Sequence, residues 1–185
     1  MTTPDTPFRL TYATMFDPPP SLHTRFDEAL ARVRAQRLGA DHAMHIGGQT
    51  RHGDRWFELR SPIDRELLLG RFPRGSAQDA ADAVAAAHAA APGWAATPVA
   101  ERIALLRRAA ALIEQQVFEL GAALALEVGK NRMESLGEVQ ETADLVTWYC
   151  DQMADNAGFD RRLPDDPLTG WHSHNRTVLR PYGVW

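Results

Sequence analysis

Residues 76–158 carry the sequence feature that most restricts the fold, a nearly unbroken series of helix-forming segments separated by short helix-breaking signals. The first segment, "AQDAADAVAAAHAAA", consists mostly of alanine, the residue with the highest helix propensity. Ser76 is a good N-cap for it, because Asp79 follows at the spacing at which both side chains can bond free backbone donors. We expect this helix to end at Pro92-Gly93.

A second helix is predicted to start at Thr97-Pro98, with the threonine as its cap and the proline in its first turn. Apolar residues then recur every three or four positions, as in the buried stripe of a helix: Ile103, Leu106, Ala110, Ile113 and Val117. The segment "FELGAALALEVGK" continues this helical pattern to Gly129.

The last helix is predicted from about Met133 to Ala157 and ends at Gly158. Its apolar side is formed by Val139, Ala143, Val146, Cys150 and Met153, which alternate steps of four and three. Glu134, Glu138 and Glu141 form an acidic row on another side. Such a row could serve acid–base chemistry, but the pattern favours the solvated face of an amphipathic helix.

The part of the chain that precedes these helices is predicted to be mixed. Five prolines within residues 1–20 indicate an extended arm. A helix is expected from Ser21 to Leu38, with Gly39 as its stop. Three strand-like segments follow, "MHIGGQ", "RWFELRSP" and "LLLGRF", and the turns between them predict a small antiparallel meander. At the other end, "TVLRPYGVW" is typical of a strand that enters a buried environment.

Charge and cysteine content limit the possible partners and compartment. A net charge of −4 offers no basic excess for a phosphate backbone, which argues against nucleic acid. The one cysteine, Cys150, excludes an internal disulfide and fits a reducing compartment. The N-terminus lacks the pattern of a signal peptide, and no uncharged stretch reaches the roughly 20 residues of a membrane-spanning helix. We therefore expect a cytoplasmic protein with neither a nucleic-acid nor a membrane partner.

The chemical motifs that would identify an enzyme directly are absent from the sequence. It contains no G-x-G-x-x-G or G-x-x-x-x-G-K-[ST] phosphate loop, no G-x-S-x-G turn, and no Cys/His set with zinc spacing. Cys150 lies on an apolar helical stripe, which favours a small buried side chain over a thiolate nucleophile. His172 and His174 alternate along a predicted strand, but no third metal ligand accompanies them. Trp94 and Trp148 lie beside apolar helical positions and are predicted to belong to the core.

The order of the segments resembles the N-terminal portion of the aldehyde dehydrogenase superfamily. The resemblance lies in "IGGQ", in "FELRSPIDRELLLGRFPRGSAQDAADAVAAAHAAAPGWAATPVAERIALLRRAAALI" and in "EVGKN" with the long helix after it. It covers roughly residues 40–185. The extended arm, "EVGKN" and the run of Glu138, Glu141 and Asp144 look most like the branch that oxidises L-glutamate γ-semialdehyde, the Δ1-pyrroline-5-carboxylate dehydrogenases of proline catabolism.

This resemblance implies an α/β fold, namely the N-terminal part of an aldehyde dehydrogenase nucleotide-binding domain, ending at the strand that enters the parallel sheet. Residues 1–44 would form an arm and helix, residues 45–158 the N-terminal part of the NAD(P)-binding domain, and residues 159–185 an oligomerisation flap and the entry to the sheet. The intact enzyme is expected to be a homo-oligomer that uses NAD or NADP and acts on a small aldehyde.

The residues that perform the family's chemistry are expected to lie beyond Trp185. They are a cysteine nucleophile, a glutamate base, an oxyanion-binding asparagine and the cofactor-binding groups. We therefore expect no catalytic, cofactor-binding or metal-binding residue in this chain, which by itself would be inactive. The one residue that the resemblance carries over is Glu141, which matches a glutamate that borders the substrate entrance in this branch. An alternative from another class is a non-catalytic helical module that binds a protein partner through exposed apolar stripes.

Overall fold

The computed structural model describes residues 10–185, and helices dominate this part of the chain. The α-helices are α1 (Tyr12–Phe16), α2 (Pro20–Gln36), α3 (Ala77–Ala96), α4 (Val99–Gln115), α5 (Val117–Val128) and α6 (Arg132–Asp155). The strands are β1 (Ala40–Asp41), β2 (Met44–Ile46), β3 (Gln49–Arg51), β4 (Trp56–Arg60), β5 (Leu68–Pro73), β6 (Asp160–Arg162) and β7 (Arg176–Val178). The order of strands followed by helices is the one that the sequence predicts.

The main core lies where α2, α5 and α6 meet. One face of α2 is buried, including Phe26 and Val33. It packs against α5, and α5 packs in turn against Leu136 of α6, which is 1% exposed. The core cluster is completed by Leu10, Leu22, Ala29, Leu69, Phe118, Ala122, Ala125 and Leu126. Ser61, also buried, donates its hydroxyl hydrogen bond to the carbonyl of Leu126 at 2.6 Å and so ties the end of β4 to α5.

The apolar side predicted for the last helix packs on α4. Val139, Ala143 and Cys150 of α6 are buried there, together with Ile103 and Ala110 of α4. The predicted stripes of both helices are therefore confirmed at these positions, whereas the prediction for Leu106 of α4 is wrong because 43% of it is exposed. Both sides of α6 are thus used, one against α4 and one against α5.

The strands differ from the predicted meander in two ways. "MHIGGQ" is not one strand, because Gly47 and Gly48 adopt φ of +58° and +77° and form the turn of the hairpin β2–β3. Positive φ at both turn positions is the conformation that a type I′ hairpin turn requires and that glycine adopts without strain. In addition, β1 joins β5 in parallel, so the three-stranded sheet has the order β1-β5-β4 and is mixed. The antiparallel pairing of β4 with β5 is as predicted.

The predicted boundary between α3 and α4 is wrong in its details. Helix α3 continues through Pro92 to Ala96. A proline removes one helical hydrogen bond, but the turns on either side remain and hold the helix. Thr97 does not cap α4, because its hydroxyl donates to the carbonyl of Gly93 at 3.0 Å and closes α3. Pro98 occupies the N-cap position of α4 instead.

Helices α4 and α5 were predicted as a continuing helical pattern and are separate, bent by 71° at Gln116. Among residues 10–185 no single helix has the length and apolar character needed to cross a membrane, although this bent pair passes by length and composition. At the N-terminus, residues 1–9 of the predicted extended arm lie outside the described residues. Tyr12–Phe16 is helical rather than extended, because Thr11 and Thr14 form a reciprocal capping box.

The C-terminal strand is shorter than predicted. Only Arg176–Val178 forms a strand, and it pairs antiparallel with β6 across the loop of residues 163–175. Arg176 forms a bidentate ion pair with Asp160, and this hydrogen bonding lowers the pKa of the Asp160 carboxyl. Beyond it Tyr182 and Trp185 are almost fully exposed. The division into residues 1–44, 45–158 and 159–185 stays a prediction.

The contact between α5 and α6 should be highly sensitive to side-chain size at Gly121. A Cβ atom added there would lie 2.9 Å from Cδ2 of the fully buried Leu136, closer than atoms pack. We expect Gly121→Val to lower the free energy of unfolding by about 1–3 kcal/mol through overpacking. Gly93→Val is the matched control, since a Cβ at this helical glycine meets no atom within 4 Å. Equal losses in the two variants, measured by urea denaturation, would contradict this packing.

The ion-pair cluster that joins β3 to α3 should stabilise the fold only above acidic pH. Hydrogen bonds from the backbone and hydroxyl of Ser76 lower the pKa of Asp79 below its usual 3.8, and Arg51 adds to this effect. Arg51 also donates to Asp82 at 2.5 Å and lowers the pKa of that carboxyl. A lowered pKa means that the stabilisation is present above about pH 4 and is lost as the pH falls through the folded-state value.

We therefore expect the stability of the parent protein to fall between pH 5 and pH 2 more steeply than that of the variant Asp79→Asn/Asp82→Asn. Arg51→Met should also make the loss of stability between pH 5 and pH 2 less steep, because it removes the cation from both carboxylates. Urea midpoints across this range provide the measurement. If the urea midpoints of all three proteins fall equally steeply with pH, the cluster contributes nothing to the stability of the fold.

Candidate functional site

An open pocket of about 610 Å³ lies between the N-terminal segment and α6, and Glu141 lines it. Leu10, Thr11 and Met15 form the wall on the N-terminal side. The wall on the opposite side is formed by Lys130, in the turn before α6, and by one face of that helix: Glu134, Gly137, Glu138, Gln140, Glu141, Asp144, Leu145 and Trp148. The structure thus brings together the acidic row that the sequence singles out and a segment more than a hundred residues away.

Local structure at the start of α6 determines which face meets the pocket. Gly129 ends α5 in the left-handed conformation, with φ of +76°, and the chain turns there. Asn131 then caps α6, because its side-chain oxygen accepts from the backbone N–H of Glu134 at 3.0 Å. Lys130 lies in this turn and forms an ion pair with Glu138, which is eight residues further along and about two turns into α6. The side of α6 that packs on α4 and α5 is apolar, so the acidic row faces away from the core and into the pocket.

The polar side chains of the pocket differ in whether a hydrogen bond or ion pair already holds them. Gln140 is 5% exposed, and its side-chain amide donates to Asp144 at 3.1 Å. The same amide donates to Glu114 of α4 at 3.5 Å, which links this part of the pocket to α4. Glu138 is engaged by Lys130. Within residues 10–185, no hydrogen bond or ion pair holds the exposed carboxylate of Glu141. That carboxylate is therefore available to a ligand.

The charge of the pocket selects the chemistry that it can bind. Among the described residues that line the pocket, four carboxylates face one lysine, and that lysine is already paired. An amino group or other cation would be attracted, while the pyrophosphate of a dinucleotide would be repelled. The aromatic face of Trp148 and the side chains of Leu145 and Met15 add apolar surface for the body of a small molecule. This pocket does not fit NAD or NADP, and we derive no chemical step through a cofactor from it.

Several residues of the pocket could have been recognised from the sequence and were not. Leu145 and Trp148 continue the acidic row at the same alternating steps of four and three, so they belong to the same face of α6. The prediction that Trp148 lies in the core is wrong, since 53% of it is exposed. Trp94 is 44% exposed as well, at the end of α3 beyond Pro92. No sequence signal indicates that Leu10 and Met15 return to α6.

The other candidates from the sequence do not assemble into a site. Cys150 is 2% exposed, and its thiol points at the carbonyl of Ile103 at 3.9 Å. His172 and His174 are exposed and precede β7 rather than alternating along a strand. In the described part of the chain, no group of three or more His, Cys, Asp or Glu side chains could hold a metal ion. The groups with shifted pKa values lie elsewhere, at the N-terminus of α3 and in the β6–β7 pair.

Comparisons with known proteins give this arrangement a family. Residues 49–185 match the Aldehyde dehydrogenase family. The chain is 32% identical over 159 residues to 1-pyrroline-5-carboxylate dehydrogenase 2 of Bacillus subtilis, covering 86% of this chain and 30% of that protein. It is 39% identical over 116 residues to lactaldehyde dehydrogenase of Escherichia coli, covering 62% and 23%. The structure of 1-pyrroline-5-carboxylate dehydrogenase from Thermus with bound NAD matches 92% of this chain and 32% of its own, with a TM-score of 0.75 and 28% identity.

These matches define a fold of the α/β class, as the sequence predicts. The chain belongs to the aldehyde dehydrogenase family. The similar proteins are mostly 1-pyrroline-5-carboxylate dehydrogenases, and the matched region is the N-terminal part of their fold. The chain spans about a quarter to a third of the length of these three relatives.

The burial of Cys150 predicts that its thiol is inert in the folded protein. Reaction with a thiol reagent should be on the order of 100-fold slower than in the unfolded chain, because it requires local opening of α4 from α6. The variant Tyr149→Cys provides the control, since position 149 is 62% exposed and a thiol there should react at once. Rapid modification of Cys150 in the folded parent would contradict its placement between these helices.

Proposed function

We propose that this chain serves in an NAD(P)-dependent dehydrogenase that oxidises L-glutamate γ-semialdehyde to glutamate in proline catabolism. The observation that carries the proposal is the structural match over nearly the whole described chain to a 1-pyrroline-5-carboxylate dehydrogenase. The N-terminal matches to bacterial members of the same group support it. The cytoplasm is the proposed compartment, and a homo-oligomer is the proposed assembly.

In this proposal the chain contributes one side of the substrate site rather than the reacting groups. L-Glutamate γ-semialdehyde carries an α-amino group, which an acidic pocket attracts, and an α-carboxylate, which must point away from the acidic row. Glu141 would bind that ammonium, because its carboxylate is exposed within the pocket and is held by no other described residue. Trp148 would cover the carbon chain. The thiol chemistry, the oxyanion contacts and the cofactor site would be supplied by the further sequence that the resemblance implies.

A second candidate function is a non-catalytic module that binds a protein partner. The observation in its favour is the exposed apolar surface of α4 and α6, to which Leu106, Leu112, Leu145 and Tyr149 contribute. In the dehydrogenase proposal, the remaining part of the enzyme covers this surface. Size-exclusion chromatography of the 185-residue chain separates the two functions. Self-association or poor stability is expected for the dehydrogenase, and a compact monomer with a sharp thermal transition favours the module.

The substitution Glu141→Gln tests the proposed site in the complete enzyme that contains this chain. We expect the KM for L-glutamate γ-semialdehyde to rise about tenfold or more, because the amide oxygen can still accept a hydrogen bond but the negative charge that pairs with the ammonium is lost. The KM for the nicotinamide cofactor should stay unchanged. Glu127→Gln is the matched control, since Glu127 is exposed on α5 and does not line the pocket.

The 185-residue chain alone should produce no NADH from this aldehyde, and turnover above background would place reacting groups within it. A complete enzyme that oxidises other aldehydes but not this one would contradict the proposed substrate.

A further inference from the structure

The N-terminal segment is held against α6 at one glycine. A Cβ atom at Gly137 would lie 3.2 Å from Cε and 3.7 Å from Sδ of Met15, so the methionine occupies the space that a side chain at 137 would fill. Gly137 lies inside the 24-residue helix α6, where glycine costs about 1 kcal/mol relative to alanine. The contact with Met15 provides a packing reason for this glycine.

Helix α1 depends on that contact for its position. It has five residues, far fewer than the roughly 12–15 that an isolated helix needs for marginal stability. Its own support is the capping box between Thr11 and Thr14. What fixes it on the protein is Leu10, which is 6% exposed and belongs to the main core, and Met15, which packs against the same core.

This short segment is at the same time a wall of the pocket. Leu10, Thr11 and Met15 line it on one side, and Glu141, one helical turn beyond Gly137, lines it on the other. The distance between the two walls therefore depends on how deeply Met15 enters the notch at Gly137.

We propose that α1, docked on Gly137, is the wall that sets the size of the aldehyde admitted to this pocket, with Met15 as the size-determining side chain. The assignment of the ligand as an aldehyde rests on the proposed function, whereas the role of α1 as a wall rests on these contacts alone. Met15 is a specificity-determining residue in this proposal and takes no part in the chemistry. Phe16, its neighbour on α1, is 90% exposed and does not line the pocket.

The first experiment measures access to the pocket without any reference to activity. The variant Glu141→Cys of the 185-residue chain places a thiol on the α6 wall, and Cys150, the one native cysteine of these residues, is buried. Its reaction rates with a small reagent, iodoacetamide, and with a bulky fluorescent maleimide are compared. Adding Met15→Ala should raise the ratio of the bulky to the small rate several-fold, on the order of tenfold, the usual effect of removing a side chain's bulk from a pocket.

Phe16→Ala in the same background is the matched control and should leave the ratio of rates unchanged. Gly137→Leu should raise the ratio as well, because its side chain displaces Met15 and moves α1 away. If Met15→Ala and Phe16→Ala give the same ratio, α1 is not the wall and the proposal is overturned.

The second experiment compares aldehydes of increasing bulk as substrates of the complete enzyme. Met15→Ala should raise kcat/KM for a bulkier amino-aldehyde relative to L-glutamate γ-semialdehyde by about tenfold, mainly through KM, with cofactor KM unchanged. Unchanged selectivity in an active enzyme overturns the proposal. An enzyme that oxidises no aldehyde but shows the labelling effect contradicts the proposed function and supports the wall.

Discussion

The close approach of α5 to α6 is the constraint on which the rest of the structure depends. It is possible because Gly121 has no side chain and Leu136 fills the space that a Cβ would occupy. This contact leaves α6 with one side on α5 and, further along, another on α4. Only the remaining face, with Glu134, Glu138 and Glu141, is directed outward. The location of the pocket follows from the packing of the core and does not depend on the acidic residues themselves.

A second glycine, Gly137, lies close by on α6 and meets a different partner. Gly121 admits Leu136 into the core, while Gly137 admits Met15 of the N-terminal segment. The first contact holds the helices together, and the second closes one side of the pocket. The proposed function and the proposed role of α1 both depend on this division of α6 between packing and ligand contact. The exposed carboxylate of Glu141 lies one turn beyond the second glycine, opposite Met15.

Much of the local structure could be predicted because the signals act over a few residues. The capping box of Ser76 and Asp79, the stop at Gly129 and the buried positions of α6 follow from hydrogen bonding and helical periodicity. The errors arise where two local signals compete. Thr97 could cap either helix, and its hydroxyl closes α3 rather than opening α4. Pro92 is tolerated inside α3, and Gly47-Gly48 makes a hairpin turn within an apparent strand.

The sequence by itself determined the family resemblance, the α/β class, the helical stripes and the acidic row that includes Glu141. These properties depend on residue identity and spacing along the chain. Only the tertiary structure decided that the N-terminal segment returns to α6, that Trp148 faces a pocket, and that α4 and α5 bend apart by 71°. Periodicity shows which residues share a face of a helix. Which partner covers that face depends on contacts between distant parts of the chain, because burial of apolar surface is non-directional and carries no local signal.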